Sequence, residues 1–392
     1  MTDIIRTGGI LLPEKHIDIY KWAVIACDQF TSDPHYWRRL DELVGDAPST
    51  LRLIYPECFL GENDDLRINA VNAAMRSYIE RGLFRPAECV RTVRETVYGR
   101  RRTGFVFSVD LDAYSYAPGN KAPIRATEDT IAERIPPRVH IRYNAELEIP
   151  HIMLLYSDPE FTVESAAGAG EALYESRLNM RGGRVSGCEI ASTDAMKRAF
   201  EKLASDSEKV YGRPLLFLVG DGNHSLAAAA RCRAERENAG LKAGRYALVE
   251  AVNIFDAGVV FEPIHRLAVT SKPHELVSYL GDRLSGDGKT KVFLSDGSVG
   301  TLSIPDDGIR AVEAVQKALD DYSAENGCRI DYIHGEESLR KASRAGVGIM
   351  LPAMAKRELF NYVASNGILP RKTFSLGEAE EKRYYLEAAR IV

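Results

Sequence analysis

The chain has 392 residues, 45% of them hydrophobic and 27% charged, with a formal net charge of −5. This length predicts two domains in a globular protein, and the acidic balance argues against a nucleic-acid-binding protein, which usually carries a basic excess. Because no stretch approaches the roughly 18 apolar residues of a membrane span and none resembles a signal peptide, we expect a cytoplasmic protein without membrane partners.

Apolar and alternating runs predict the strands of the first part of the chain, and helical spacing of apolar residues predicts its helices. The predicted strands lie at residues 22–27, 90–98, 103–111, 152–156, 215–219 and 246–255. The predicted helices lie at residues 34–44, 64–81, 194–203 and 225–239. We expect Pro136-Pro137 to break a helical stretch, and Arg100-Arg101-Arg102 to form an exposed hairpin turn.

Beyond about residue 272 the pattern indicates a smaller α/β unit. Its predicted helices lie near residues 274–284, 309–322 and 353–364, and its predicted strands lie near residues 291–294 and 347–351. We therefore predict a first domain over residues 1–270 and a second over residues 271–392. The expected fold class is α/β, in the sense of a mixed α+β protein.

The sequence Asp221-Gly222-Asn223-His224-Ser225 lies between the most apolar predicted strand and an alanine-rich predicted helix. Glycine permits a tight turn and the close approach of a ligand. The first N–H groups of a helix lack partners within it, so they suit an anion such as phosphate. Asn223 or Ser225 could cap the helix, and His224 could donate to a phosphate oxygen. The alternative is a plain strand-to-helix turn, but Asp and His together exceed what capping requires.

A second polar group is centred on Glu128, which could be a general base or could simply favour the positive end of a helix that it begins. Arg125, Arg138 and Arg142 could clamp a phosphate or a carboxylate. Thr127 is the neighbour of Glu128 and is taken with Arg125 and Arg142 as a substrate-binding residue. This group thus offers a base and an anion clamp.

Two further positions have simple structural alternatives. His265-Arg266 follows a predicted strand and could be a surface or interface pair. Asp28 follows the first buried strand, at the kind of sheet edge where α/β proteins often bind ligands, although it could also cap a turn. The six cysteines lie far apart without a C-x-x-C pair, which predicts reduced thiols. Walker, Rossmann and G-x-S-x-G motifs are absent from the sequence.

Several of these motifs together resemble a bacterial family known as Domain of Unknown Function 1015, almost from end to end. The residues that carry the resemblance are Lys21-Trp22-Ala23-Val24-Ile25-Ala26-Cys27-Asp28-Gln29, Arg125-Ala126-Thr127-Glu128, Leu154-Leu155-Tyr156-Ser157-Asp158, Asp221-Gly222-Asn223-His224-Ser225 and Pro263-Ile264-His265-Arg266. The resemblance is specific because the motifs occur in the same order.

The turn at Asp221 is also similar to the Asp-Gly-His-His-Arg turn of the ParB/sulfiredoxin superfamily. Members bind nucleotides at this turn and some are free-serine kinases, so the resemblance implies a ParB/sulfiredoxin-like core in the first domain. In those kinases a glutamate on an earlier helix acts on the serine hydroxyl, and Glu128 matches it. This chain has Ser225 where the superfamily has arginine, which removes a bidentate phosphate donor.

The resemblance implies a small-molecule phosphotransferase that uses Mg²⁺ and ATP or ADP, with L-serine or another hydroxy amino acid as acceptor. The catalytic residues implied are Glu128, Asp221 and His224, with Asp221 also expected to hold Mg²⁺. The nucleotide and phosphate contacts implied are Gly222, Asn223, His224, Ser225, His265 and Arg266, and the substrate contacts are Arg125, Thr127 and Arg142. The alternatives are a non-catalytic nucleotide or metabolite sensor, homodimeric like ParB-type proteins, and a DNA-associated nuclease, which the acidic balance disfavours.

Overall fold

The computed structural model describes residues 4–391, which divide into two compact units. The first unit extends to Val259 and resumes at Glu378, and the second unit is Val260–Gly377. This division corrects the predicted boundary at residue 270, because the strand Phe261–Val269 pairs only with strands of the second unit. The residues after Gly377 were predicted to belong to the second domain, but they return to the first unit.

Twenty-two strands and eleven α-helices are assigned within residues 4–391. The strands are β1 Ile5–Arg6, β2 Ile10–Pro13, β3 Val24–Ile25, β4 Phe84–Ala87, β5 Val90–Glu95, β6 Arg101–Asp110, β7 Tyr114–Ser115, β8 Ile124–Ala126, β9 Leu147–Glu148, β10 Met153–Tyr156, β11 Ala172–Leu178, β12 Gly183–Glu189, β13 Phe217–Asp221, β14 Tyr246–Asn253, β15 Phe261–Val269, β16 Gly288–Leu294, β17 Val299–Ile304, β18 Arg329–His334, β19 Gly346–Ile349, β20 Phe374–Leu376, β21 Tyr384–Tyr385 and β22 Ala388–Arg390. The helices are α1 Ile19–Trp22, α2 Pro34–Val44, α3 Asp64–Glu80, α4 Ile135–Tyr143, α5 Thr162–Ala167, α6 Thr193–Tyr211, α7 Asn223–Asn238, α8 Pro273–Arg283, α9 Gly308–Asn326, α10 Glu336–Ala342 and α11 Glu358–Asn366. Among these helices, none combines the length and the apolar character that crossing a bilayer requires.

A ten-stranded mixed sheet forms the centre of the first unit, in the order β11-β12-β5-β6-β14-β10-β13-β8-β7, with β1 paired to β6. Apolar residues of α6 and α7, such as Phe200 and Leu226, belong to one core of this unit. Residues of α2 and α3, such as Trp37 and Met75, belong to a second core. The central strands supply side chains to both cores, which explains their nearly continuous apolar runs. The predicted mixed α+β fold class is confirmed.

Three parts of the chain meet at the end of β13. Strand β8 is parallel to β13, with Ala126 opposite Val219, so both strands end at the same edge of the sheet. Strand β10 is antiparallel to β13 and begins with Met153 opposite Asp221. The residues that follow β8 and those that precede β10 therefore lie beside the turn between β13 and α7.

A six-stranded antiparallel sheet forms the second unit, in the order β17-β16-β19-β15-β18, with β20 paired to β15. Leu276 and Leu280 of α8 and Val312 and Leu319 of α9 share one core with residues of this sheet. The amphipathic spacing of both helices in the sequence reflects this buried face. The helices predicted near residues 274 and 309 are confirmed.

Two local predictions for the first unit are wrong. The prolines at positions 136 and 137 lie in the first turn of α4 instead of ending a helix, because the first N–H groups of a helix need no intrahelical acceptor. The arginines at positions 101 and 102 belong to β6, and Arg102 is buried beside Glu250 at 4.0 Å instead of lying in an exposed turn. A charged side chain is rarely buried without a partner, and the Glu250 carboxylate compensates Arg102 for its lost hydration.

The C-terminal segment of the first unit is held by buried charges. Arg383 donates to Glu250 at 2.6 Å and to Glu387 at 2.7 Å, and the side chains of all three residues are at most 5% exposed. Burial alone would raise the pKa of Glu250, but Arg383 and then Arg102 lower it to about 2. The Trp22 indole also donates to the Leu386 carbonyl at 2.9 Å. These contacts fix the residues around Arg383 against the central sheet.

We predict that Arg383→Met lowers the free energy of unfolding by about 3–5 kcal/mol, because it leaves buried carboxylates without their main partner. Urea denaturation at neutral pH measures this change. The control is Arg184→Met, which breaks an exposed ion pair with Glu175 and should cost no more than about 1 kcal/mol. Equal losses for the two variants would contradict a structural role for the buried network.

Candidate functional site

The turn between β13 and α7 depends on Gly222. Its φ of +83° lies in the left-handed region, and a Cβ there would be 3.0 Å from the Cα of Ile152. The Asp221 carboxylate accepts from the Gly222 N–H at 2.9 Å, and the Gly222 carbonyl accepts from Ser225 and from the residue after it. Glycine is therefore required both for the backbone conformation and for the close approach of the segment before β10.

A partly buried ion pair joins this turn to the C-terminal segment. Lys382 donates to Asp221 at 3.0 Å, and the two side chains are 14% and 19% exposed. Burial by itself would raise the pKa of Asp221, but the Lys382 ammonium, His151 and the Gly222 N–H together lower it. The aspartate at the end of β13 is therefore held as a carboxylate.

Two more carboxylates act on the same ammonium group. Burial by itself would lower the pKa of Lys382, but Asp221, Asp28 and Glu128 raise it, so the lysine is held in its charged form. Asp221 contacts this lysine directly, and the charges of Asp28 and Glu128, from distant parts of the chain, act on it as well. Asp28 also has a buried Oδ1 atom with no hydrogen-bond partner. The convergence of Glu128 and Asp221 is what a catalytic use of both residues requires.

The loop that carries Glu128 is held by the start of α7. The side-chain oxygen of Asn223 accepts from the Thr127 N–H at 3.3 Å, and His224 Nε2 accepts from the Ile131 N–H at 3.2 Å. The Thr127 hydroxyl donates to the carbonyl of Val219 at 2.6 Å. These three side chains position the loop between β8 and α4.

These contacts correct four sequence-based expectations. Neither Asn223 nor Ser225 caps α7 with its side chain, because each has a partner outside the helix. Glu128 lies in a loop instead of at the start of a helix. The Nε2 atom of His224 already accepts a backbone N–H, so this atom is not the phosphate donor that the sequence suggested. Thr127, predicted to bind substrate, is 1% exposed and its hydroxyl donates to a backbone carbonyl.

His151 lies before β10 and connects two other polar residues. Its Nε2 is 3.1 Å from the Ser225 hydroxyl and its Nδ1 is 2.9 Å from the Tyr385 hydroxyl. The Tyr385 oxygen also accepts from the Cys27 N–H at 2.9 Å. Burial raises the pKa of Tyr385, so the phenol stays protonated, and Asp28 Oδ2 is 3.8 Å from the His151 ring. The histidine is thus oriented by one hydroxyl and contacts another.

A cavity of about 150 Å³ lies beside this histidine. Ser225, His151 and Tyr385 line it together with two ion pairs, Arg138 with Glu57 and Arg142 with Glu148 at 2.7 Å. Most of the other lining residues are apolar, as in many small-molecule sites. Arg142, predicted to bind substrate, therefore lines a cavity in the same unit as Asp221, but its charge is paired.

Arg125 does not lie where the sequence prediction placed it. Its Nε donates to the Ala122 carbonyl at 2.8 Å, before β8 begins. Burial lowers the pKa of its guanidinium, and the charge of Arg213, which precedes β13, lowers it further. The guanidinium is thus near the start of both strands, whereas Asp221 is at the end of β13. The Nε contact of Arg125 is thus structural, and the substrate contact predicted for this residue stays a prediction.

The pair His265-Arg266 has a structural role in the second unit. Arg266 is fully buried. Its guanidinium donates to the side-chain oxygen of Gln316 and to the backbone carbonyls of Lys372 and Arg371, among others. His265 accepts from a backbone N–H through Nδ1, and burial lowers its pKa. Because the guanidinium is enclosed by acceptors of its own unit, the predicted phosphate contact of this pair is not supported.

Sequence reasoning missed Lys382, His151 and Tyr385. Lys382 and Tyr385 lie more than 150 residues after the Asp221 turn, in a segment that the sequence assigned to another domain. His151 lies directly before the predicted strand at residues 152–156, so the sequence could have placed it at the end of a buried strand. Only the pairing of β10 with β13 shows that it faces the turn.

The acidic residues do not form a resident metal site. Among residues 4–391, no group of three or more His, Cys, Asp or Glu side chains is arranged to hold an ion. Asp221, the predicted Mg²⁺ ligand, is occupied by the ammonium of Lys382. Mg²⁺ in phosphate-transfer sites is usually held by one or two carboxylates plus substrate phosphates, so the donor set fits only an ion that arrives with them.

One family model matches residues 7–322, and its description is Protein of unknown function (DUF1015). The chain is a DUF1015 protein. Comparison with curated proteins gives no match for this DUF1015 protein. The expected family membership is thus confirmed, and the link to the ParB/sulfiredoxin superfamily stays a prediction.

Solved structures with a weak likeness to this DUF1015 protein include a free serine kinase in complex with AMP, at 11% identity and a TM-score of 0.37 over 73% of this chain and 91% of that chain. A variant free serine kinase in complex with ADP has 12% identity and a TM-score of 0.38 over the same shares. SbnI with a C-terminal truncation, from Staphylococcus aureus, has 11% identity and a TM-score of 0.37 over 69% and 83% of the two chains. Such values are too low to carry a functional conclusion, so the site must be interpreted from its own geometry.

We predict that Lys382→Met lowers the free energy of unfolding near pH 7 by about 3–5 kcal/mol, because it leaves the Asp221 carboxylate unpaired. The double variant Asp221→Asn/Lys382→Met should recover much of this loss. Folding lowers the pKa of Asp221, so the pair stabilises fully above the unfolded-state pKa of about 3.9 and loses this effect as the pH falls through the folded-state value. Urea denaturation at neutral pH and at about pH 3 measures both effects. A loss that is independent of pH would contradict the ion-pair account.

Proposed function

We propose that this DUF1015 protein is a small-molecule phosphotransferase that uses ATP or ADP. The observation that carries the proposal is the ion pair of Asp221 with the partly buried Lys382, whose ammonium is also stabilised by the charge of Glu128, beside the glycine turn that begins α7. Phosphoryl transfer depends mostly on positioning and on charge neutralisation. A turn suited to phosphate, a lysine and a carboxylate base supply these requirements.

The phosphates of the nucleotide would lie at the start of α7. This helix has 16 residues, and the first N–H groups of a helix lack acceptors one turn before them, which favours an anion at this end. Lys382 adds a positive charge at the same turn. This charge would take the role of the arginine that the superfamily turn has at the position of Ser225. A lysine acts on phosphate as a point charge and not as a bidentate fork.

The charge balance of the site indicates that the phosphates bring a cation with them. Asp221, Asp28 and Glu128 surround one ammonium, which leaves an excess of negative charge near Lys382. Phosphate alone would be repelled by this excess. The nucleotide is therefore proposed to bind as its Mg²⁺ complex, and the unpartnered Oδ1 of Asp28 supplies an oxygen of the type that Mg²⁺ prefers.

Glu128 is proposed as the general base. It lies on a loop fixed by Asn223 and His224, so its carboxylate is held beside the phosphate-binding turn. A base in this position accepts the proton of the acceptor hydroxyl as the oxygen attacks the terminal phosphorus. In this account His224 is a positioning residue and not a proton donor to phosphate.

Non-catalytic binding of a nucleotide or metabolite is a second candidate. It is favoured by Ser225, whose hydroxyl contacts His151 and gives the turn no arginine-like donor. A sensor of this kind would bind nucleotide tightly without consuming it. The homodimer expected for such a sensor stays a prediction.

The test that separates the two candidates is phosphate-donor consumption by the purified protein with Mg²⁺ and ATP or ADP. The acceptors are a panel of hydroxylated amino acids that includes L-serine, together with other small alcohols. Consumption that depends on one acceptor supports the phosphotransferase and identifies its substrate. Thermal stabilisation by nucleotide without consumption supports the sensor, and the absence of both effects would overturn nucleotide binding at this turn.

We predict that Glu128→Gln lowers turnover by about 10²–10⁴-fold, because an amide cannot accept the hydroxyl proton. Nucleotide affinity should change by less than about threefold, since the phosphate-binding turn is intact. The matched control is Asp129→Asn, which changes the exposed neighbouring carboxylate and should leave turnover unchanged. Steady-state kinetics and calorimetric nucleotide titration measure these effects. Loss of affinity together with turnover in Glu128→Gln would contradict the assignment of the base.

A further inference from the structure

The cavity beside His151 has the size and walls of a site for a small apolar molecule. Its volume is about 150 Å³, similar to that of an engineered protein cavity that binds benzene. Its apolar lining includes Leu53, Ile54, Leu60, Met75, Ile141 and Leu147. A compound with the bulk of one six-membered ring therefore matches the space.

The charged residues of the cavity neutralise each other. The guanidinium of Arg138 is paired with Glu57, and that of Arg142 is paired with Glu148, whose second oxygen accepts a backbone N–H at 2.6 Å. A ligand with a free ammonium would lose its hydration here without finding an unpaired carboxylate. The cavity thus favours a neutral ligand over a zwitterionic amino acid.

The part of the cavity lining that Ser225 and His151 form is polar. Ser225 and His151 are hydrogen-bonded to each other there, and Ser225 also belongs to the turn proposed to hold phosphate. The Nη2 atom of Arg142, another lining residue, is buried without a hydrogen-bond partner. A ligand oxygen could satisfy this donor or contact the Ser225–His151 pair. This polar part is thus the place for a single hydroxyl group.

We propose that the cavity binds a small neutral aromatic or alicyclic alcohol, and that this alcohol is the phosphate acceptor. The acceptor role rests on the proposed function, whereas the binding site stands on the cavity itself. In the transfer, the hydroxyl oxygen forms a bond to the terminal phosphorus and the bond from that phosphorus to the nucleotide breaks. The hydroxyl proton passes to the proposed base Glu128, whose loop is held by the turn that also carries Ser225 of the cavity lining, and the nucleotide leaves with one phosphate fewer.

Calorimetric titration of the full-length protein with phenol, toluene and L-serine tests the site without any need for turnover. Phenol should bind, and toluene should bind about two- to tenfold more weakly, since one net hydrogen bond is lost. L-Serine should not compete with phenol. Absence of phenol binding, tighter binding of toluene, or displacement of phenol by L-serine would each overturn the proposed ligand class.

Variants that fill the cavity locate the binding site. Ala228 of α7 lines the cavity, so Ala228→Leu should weaken phenol binding at least tenfold. The control is Ala234→Leu, the same change on an exposed position of the same helix, which should bind phenol like the wild type. Should Ala228→Leu fail to fold, the half-buried Ala145→Leu fills the cavity from the other side. Unchanged phenol affinity in a folded cavity variant would place the site elsewhere and overturn the proposal.

Failure of this inference is distinguishable from failure of the proposed function. Phenol binding without consumption of nucleotide for any cyclic alcohol would keep the cavity site and remove the acceptor role. Turnover with L-serine in a protein that does not bind phenol would keep the phosphotransferase and overturn the cavity proposal. Turnover with a cyclic alcohol that is lost in Ala228→Leu and kept in Ala234→Leu would support both.

Discussion

The buried ion pairs of Arg383 with Glu250 and Glu387 fix the C-terminal segment on the central sheet of the first unit. The part of the candidate site that Lys382 supplies depends on this interaction, because Lys382 is adjacent to Arg383 and contacts Asp221. Tyr385 lies two residues after Arg383 and orients His151. A buried charge network would usually be weak support for stability, but removal of one partner is costly, so the segment is locked once it is formed.

The lysine at this position determines the chemistry that the site can perform. Its charge is stabilised by Asp221, Asp28 and Glu128. Asp221 ends β13, whereas Asp28 and Glu128 lie shortly after the ends of β3 and β8. The same arrangement keeps Asp221 ionised at neutral pH and leaves Glu128 on a loop fixed by α7. The residues proposed for the phosphate, cation and base functions are therefore brought together by sheet topology and not by a contiguous motif.

Much of the fold could be predicted from the sequence, because the apolar run before Asp221 and the amphipathic spacing of α3 and α9 are local signals. The turn at Gly222 was also predictable, since its positive φ requires glycine. The proline pair at the start of α4 was misread because its effect depends on where the helix begins. Lys382 and Arg266 could not be assigned, because their partners are set by long-range pairing of strands and by burial.

The most direct test of the account is the affinity of the Mg²⁺ complexes of ATP and ADP for the wild type and for Asp221→Asn/Lys382→Met. The double variant keeps the net charge of the pair and should remain folded, as circular dichroism and the melting temperature would verify. The account predicts binding by the wild type and at least tenfold weaker binding by the double variant, since the phosphates lose the Lys382 charge. Equal affinity in the two proteins would contradict the central claim that the C-terminal segment completes a nucleotide site at the β13–α7 turn.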